Sequence, residues 1–261
     1  MTDPAGAVPP ASTPELAGRR ALVTGAGQGV GRAIALRLAA MGATVSVNDF
    51  VAARAEAVAA EVRAAGGRAA ALPFDVSDLT AVRAAVAAGG SFDILVNNAG
   101  NGGSAGWRGI APFAETDPAD WTPTIGVNFF GVLHCTHTVL PAMIAGGWGR
   151  VVTIISDAAR VGEPTFAVYG AAKAGAAGLT RTVARENGRY GITANNVALA
   201  TVVPPGSDEP DRAEQRLKNY AIRRFGTPDD VAGLVGYLAG PAAGWITGQT
   251  YPVNGGYSYS Q

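Results

Sequence analysis

Short apolar runs alternate with longer stretches of helical spacing along most of this chain, and that alternation predicts its architecture. Arg20–Thr24 reads as a strand and Ala33–Met41 as a helix, with glycines between them. Thr44–Asn48 reads as a second strand, followed by a helix over Val51–Ala65 that Gly66-Gly67 ends. Arg68–Phe74 is a third strand, Leu79–Ala88 a helix, and Asp93–Val96 a fourth strand. A long helix is predicted from about Asp117 to about Ala145, with Pro123 in its opening turns and Pro141 breaking or kinking its end. Gly149–Ile155 is the fifth strand. The alanine-rich stretch around Tyr169 favours a helix. Ile192–Ala198, Asp229–Ala239 and Thr250–Val253 complete the pattern as strand, helix and edge strand. Strands and helices alternating in this way predict an α/β fold, a parallel sheet with helices on both faces.

Composition bounds the picture without changing it. A chain of 261 residues suits one large α/β domain or two small ones, and can bury a substantial core. Lys+Arg and Asp+Glu stand at 20 each, so nothing in the charge points to nucleic acid or an acidic membrane, and self-association is permitted. The single cysteine, Cys135, excludes an intrachain disulfide. His134 and His137 flank it with no carboxylate nearby in sequence, so no metal site is expected. Residues 1–15 carry four prolines and read as a flexible tail without a targeting pattern. No run approaches the roughly 20 apolar residues of a membrane span, and the expected compartment is the cytoplasm.

Candidate chemistry gathers at the predicted strand ends. Thr24-Gly25-x-x-x-Gly29-x-Gly31 follows the first strand and opens a helix, the layout of a phosphate cradle. Asp49 ends the second strand, where a carboxylate bonds a ribose 2′-hydroxyl and repels a 2′-phosphate. It also suits a helix N-cap. Phe50 follows it and Gln28 is uncharged, so NAD is favoured over NADP. Asp75 ends the third strand and suits either an adenine amine or a turn. Asn97-Asn98-Ala99-Gly100 follows the fourth strand, and Ser156 the fifth. Tyr169 and Lys173 are four apart, so on a helix both leave one face. An ammonium about 4 Å from a phenol favours the phenolate by up to roughly 4 kcal/mol at an effective dielectric of about 20, bringing a tyrosine toward acid/base range. Residues 101–117 are glycine-rich and irregular, and Trp107, Ile110 and Phe113 either line a pocket or anchor the loop.

The ordered set of glycine turn, Asn97-Asn98-Ala99-Gly100, Ser156 and Tyr169-x-x-x-Lys173 resembles the short-chain dehydrogenase/reductase family. The likeness runs roughly from Leu16 to Tyr257 and includes Arg224-Phe-Gly226 and Val253-Asn-Gly-Gly256. The resemblance implies a single Rossmann-like domain over 16–261, a doubly wound seven-stranded parallel sheet, with a substrate lid at about 203–220. It implies a proton relay of Asn128, Ser156, Tyr169 and Lys173. In it Tyr169 exchanges the alcohol proton, Ser156 holds the substrate oxygen, Lys173 lowers the Tyr169 pKa and bonds the ribose, and Asn128 anchors a water. Cofactor contacts are implied at Gly25, Gln28, Gly29, Val30, Asp49, Phe50, Asp75, Val76, Asn98, Ala99, Gly100, Tyr169, Lys173 and Val202. Two positions depart from the family. Leu199-Ala200 stands where Pro-Gly is usual, which puts contacts from Leu199 to Val202 in doubt, and Asn254 stands where Asp is usual.

The function implied is an NAD-dependent oxidoreductase that moves hydride between a nicotinamide cofactor and a secondary alcohol or ketone, acting on a small molecule. A 3-oxoacyl-thioester reductase is the alternative. A non-catalytic dinucleotide sensor is disfavoured, because such proteins lose the Tyr/Lys pair. The family also implies a homotetramer built on the helices holding Asn128 and Tyr169, where Gly170, Ala174, Gly175 and Gly178 permit close packing.

Overall fold

The computed structural model describes residues 14–100, 111–207 and 213–259. Seven strands, β1 (Arg20–Val23), β2 (Thr44–Val47), β3 (Arg68–Ala71), β4 (Ile94–Asn97), β5 (Gly149–Ser156), β6 (Ile192–Leu199) and β7 (Thr250–Val253), form one sheet in the order β3-β2-β1-β4-β5-β6-β7. Every pairing in it is parallel. Such a sheet needs cover on both faces, and the helices provide it. Period-two alternation divides the strand residues. Ala21, Val23, Ile94, Val96, Val152 and Ile154 face one core with Ile34 and Leu38 of α1 (Gly29–Ala40), Val58 of α2 (Ala52–Ala64) and Val235 of α9 (Pro228–Ala239). Leu22, Leu95 and Val151 face the other, with Val82 of α3 (Leu79–Gly89), Val139 and Met143 of α5 (Gly131–Gly146) and Val183 of α7 (Ala167–Asn187). A fully buried Leu or Ile contributes about 1.5–3 kcal/mol, so these two layers supply the main stabilisation.

The chain moves outward from β1 through β2 to β3, then crosses to β4 on the other side of β1. That reversal opens a crevice at the carboxyl ends of β1 and β4, where ligands collect in such sheets.

Several elements differ from their sequence expectation. The ladder of β3 stops at Ala71: Leu72 N still donates to the Val47 carbonyl at 2.9 Å, but beyond it the Asn48 side chain takes the Leu72 and Phe74 carbonyls, and both side chains pack into the second core. The long helix is segmented into α4 (Trp121–Ile125), a π-helical turn over Gly126–Phe130, and α5. Helix α5 runs through Pro141 to Gly146 instead of ending there. The helical stretch Pro118–Gly146 is long and apolar enough by composition to cross a membrane, contrary to the sequence expectation. Here it is a covering helix, and Cys135, Val139 and Met143 fill the core beneath it. Leu199 extends β6, pairing with Ser156 and Val253, since it has the N–H that proline would lack. The tail expectation for 1–15 falls almost wholly outside the described residues, as do Trp107, Ile110 and part of the lid. The described part of the lid holds α8 (Ala213–Leu217), docked by Arg216 Nη2 on Thr201 Oγ1 at 2.7 Å.

Candidate active site

The glycine turn is shaped by close contacts. A Cβ on Gly31 would lie 2.3 Å from the Gly25 carbonyl oxygen, and one on Gly27 would lie 2.5 Å from Asp49 Oδ2. Gly25 and Gly29 have φ of +61° and +54°, open to glycine at little cost. Of the four loop glycines, only at Gly29 would a Cβ meet nothing within 4 Å, so the loop is open on that side. Gly29 begins α1, and its N-cap Gln28 makes no side-chain cap bond, which leaves backbone N–H donors and the positive dipole end for an anion. This geometry fits a dinucleotide pyrophosphate.

Below the loop, Asn98 has a structural role besides the cofactor contact expected of it. Its amide nitrogen donates to the Thr24 and Gly25 carbonyls at 2.9 and 3.0 Å, so it props the loop from inside the fold. Thr24 Oγ1 accepts from Asn98 N and Ala99 N, both at 3.0 Å, and locks the β1 and β4 ends together. Asn48, which no sequence motif marks, is buried and joins three strand ends. It accepts from Gly25 N at 3.3 Å and donates to the Leu72 and Phe74 carbonyls at 3.1 and 3.0 Å. An amide beside the acidic strand end is the one signal in the sequence that points to it.

Asp49 is buried, and its two oxygens are divided. Oδ1 accepts from Val51 N at 2.9 Å and from Arg54 Nη2 at 2.8 Å, while Oδ2 faces Gly27. Asp49 is therefore not the N-cap expected of it: Val51 caps α2, which starts at Ala52, and Asp49 holds the Val51 N–H from two residues before while its other oxygen faces the loop. Arg54 belongs to no sequence motif. Its guanidinium also reaches Gln28 Oε1 at 3.4 Å and sits 5.1 Å from the ring centre of the exposed Phe50. A cation thus stands at the end of the cradle where the sequence shows none, because the base comes a helical turn after Asp49. Asp75 takes its turn role. Its Oδ1 accepts from Ser77 N and Oγ at 2.8 and 2.7 Å. Val76 is buried in the core, and its carbonyl accepts from His134 Nδ1 at 3.0 Å. Val202 forms a parallel bridge with Gly226 at the lid base.

The four relay candidates converge beside this cradle. Ser156 ends β5, the short α6 (Ala158–Val161) follows it, and Tyr169 and Lys173 lie on α7. Ser156 hydrogen-bonds the Tyr169 phenol. Lys173 is buried, with Nζ donating to the Ile154 carbonyl at 3.0 Å and lying 5.8 Å from the Tyr169 ring centre. Asn128 is fully buried in the π-helical turn and donates to the Thr124 carbonyl at 3.0 Å. A Cβ on Gly100 would stand 3.1 Å from Asn128 Oδ1 and 3.4 Å from Lys173 Nζ, so these three meet at the end of β4. Burial pushes the Tyr169 phenol up, and its Ser156 hydrogen bond pulls it down. The direction is opposite to that expected of the isolated pair, since burial outweighs the Ser156 hydrogen bond. Burial pushes the Lys173 ammonium down to about 8. Cys135 takes no part. It is buried in the second core, and burial pushes its thiol up to about 12.

Comparison with known proteins decides the family. The short chain dehydrogenase family model matches residues 19–215. This chain belongs to the short-chain dehydrogenase family, and it is an oxidoreductase. It is 38% identical over 245 residues to a Staphylococcus aureus 3-oxoacyl-[acyl-carrier-protein] reductase FabG, covering 91% of this chain and 97% of that protein. Among solved structures it is similar to a gluconate 5-dehydrogenase from Burkholderia cenocepacia in complex with NADP and tartrate, at 33% identity and a TM-score of 0.86, covering 95% and 98% of the two chains. It is equally similar to a 3-oxoacyl-[acyl-carrier protein] reductase with bound NAD from Brucella melitensis, at 32% identity and a TM-score of 0.86, covering 94% of each. Short-chain dehydrogenases of both cofactor types thus share this backbone.

Proposed function

We infer that this short-chain dehydrogenase interconverts a secondary alcohol and its ketone, with Tyr169 as the proton-transferring group. The observation that carries the reading is the meeting of Ser156, Tyr169, Lys173 and Asn128 beside a glycine cradle at the sheet's reversal point. A nicotinamide dinucleotide held by the Gly25–Val30 backbone, Asp49 and Gly100 would supply the hydride. In ketone reduction Tyr169 Oη gives its proton to the substrate oxygen, and in alcohol oxidation it takes that proton back. Ser156 Oγ donates a second hydrogen bond to the same oxygen. Lys173, charged below a pKa of about 8, stabilises the phenolate left after transfer. Asn128 orients the relay behind it. Positioned acid/base catalysis of this kind is worth about 10²–10⁴-fold.

Asp49 Oδ2, facing the loop, supports NAD, and Arg54 moderates that preference because it offsets the charge that would repel a 2′-phosphate. The second reading, a 3-oxoacyl-thioester reductase, is favoured by the activity that the Staphylococcus and Brucella relatives carry in their names. We place the enzyme in the cytoplasm as a homotetramer; the exposed Phe130, Ala171 and Ala174 support the assembly, whereas Gly170 and Gly175 pack within the chain against Ala158 and Phe129. The test pairs NADH and NADPH with acetoacetyl-CoA and a panel of simple ketones, followed at 340 nm. Turnover of the thioester alone selects the second reading. Turnover of the simple ketones selects the first. Silence with every pair rejects both.

A further inference from the structure

The residue after Ser156 is a carboxylate that the proton relay does not use. Asp157 is 1% exposed. Burying a charge is costly unless it is paired, and this one is held on both oxygens. Oδ1 accepts from Arg160 Nη1 at 2.7 Å. Oδ2 accepts from Asn254 Nδ2 at 2.6 Å and Ser258 Oγ at 3.0 Å. Its backbone N–H donates to the Leu199 carbonyl at 2.9 Å, at the end of β6. The same partners are tied to one another. Arg160 donates to Ser258 Oγ at 2.9 Å and to the Tyr259 carbonyl at 3.1 Å. Asn254 Nδ2 donates to the Ser258 carbonyl at 2.9 Å. Tyr257 Oη donates to Glu163, and its ring lies 5.2 Å from that of Tyr220 at the end of the lid.

These bonds lace residues 254–259 onto residues 157–163, the segment that separates Ser156 from Tyr169. Asp157 is pinned to β6 on one side and to the 254–259 segment on the other, so the peptide joining it to Ser156 has little freedom. We propose that Asp157 is a positioning residue and that Asn254–Tyr259 is a strap that holds Ser156 in register with Tyr169. The proposal rests on the reading above that these two groups act on the substrate oxygen. It also gives Asn254 a reason. Only a donor fits against Asp157 Oδ2 at that distance, whereas a second carboxylate there would meet it with no proton between.

The test is a charge exchange across the strap, read in the full-length enzyme with NADH or NADPH and acetoacetyl-CoA as probe. Asn254→Asp is expected to lower kcat about tenfold and leave KM for the dinucleotide within about twofold, since alignment and not binding is lost. The double variant Asp157→Asn/Asn254→Asp restores a donor–acceptor pair and is expected to recover kcat to within about threefold. If Asn254→Asp lowers thermal stability but keeps wild-type kcat, or if the exchange restores stability without kcat, the strap is structural only and the proposal falls. If Asn254→Asp does not fold, Ser258→Ala removes one donor, and wild-type kcat in that variant likewise overturns it. If the wild-type enzyme turns over no probe, the oxidoreductase reading on that probe has failed separately. Hydrogen exchange of the 156–163 amides then decides. Acceleration in Asn254→Asp with recovery in the double variant supports the strap, and unchanged exchange rejects it.

Discussion

Arg54 Nη2 stands 2.8 Å from Asp49 Oδ1, an ion pair at the β2 side of the glycine cradle. On the proposed reading the pair would make cofactor choice a balance of two opposite charges, with neither acting alone. If Asp49 holds the ribose hydroxyl as proposed, Asp49→Ala would free the guanidinium for a 2′-phosphate and delete that hydroxyl ligand. The NADPH-to-NADH affinity ratio should rise at least about tenfold, roughly 1.4 kcal/mol. Adding Arg54→Met to that variant should return most of the change. Titration of protein fluorescence with each reduced cofactor measures both. A ratio unmoved by Asp49→Ala would remove Asp49 from cofactor selection.

Tyr169→Phe keeps the ring and deletes the proton that the proposed relay would exchange. Turnover should fall by about 10²–10⁴-fold, while the dissociation constant for NADH stays within about threefold. Retained turnover would transfer the acid/base role to another group.

Lys173 carries a stability signature with a definite sign. Its pKa falls from 10.5 to about 8 on folding, so the unfolded chain binds more protons between those values. The resulting penalty, about 3 kcal/mol at most, is fully present below pH 8 and disappears as pH rises toward 10.5. Lys173→Met removes it. The variant should melt several degrees above the wild type at pH 7, with the gap closing toward pH 10, while turnover falls. Calorimetry of the cofactor-free protein across that range reads the trend. A gap that widens with pH would show that burial does not depress this amine.

Two glycine-to-alanine changes should act in opposite directions. Gly233 lies exposed within α9, and an added Cβ meets nothing within 4 Å. Gly233→Ala should stabilise by about 0.5–1 kcal/mol. At Gly31 the same methyl would stand 2.3 Å from the Gly25 carbonyl oxygen, so Gly31→Ala should distort the cradle and weaken cofactor binding at least about tenfold. Thermal melts and cofactor titrations of the two variants make the comparison.

The order of strands is legible in the sequence because each apolar run is bounded by glycine or aspartate, as at Thr24-Gly25 and Val47–Asp49. Tyr169 and Lys173 are legible because a helix turns a spacing of four into one shared face. Pairs made by folding alone are not. Asp157 and Asn254 are 97 positions apart, and no local pattern connects them. Arg54 lies close to Asp49 in sequence but is hidden by position, inside the first turn of α2. The π-helical turn is invisible because Val127, Phe129 and Phe130 continue an apolar run, and apolar runs do not record how tightly a helix is wound.

That loosely wound turn at Gly126–Phe130 works as a spacer. Deleting a single residue there would tighten it into an ordinary α-helix, which should be the more regular structure. It would also swing the Asn128 amide about 100° around the axis, away from Gly100 and Lys173. The chain at this point gives up helical regularity to aim one side chain, so a shortened variant can be sturdier and catalytically blind at once.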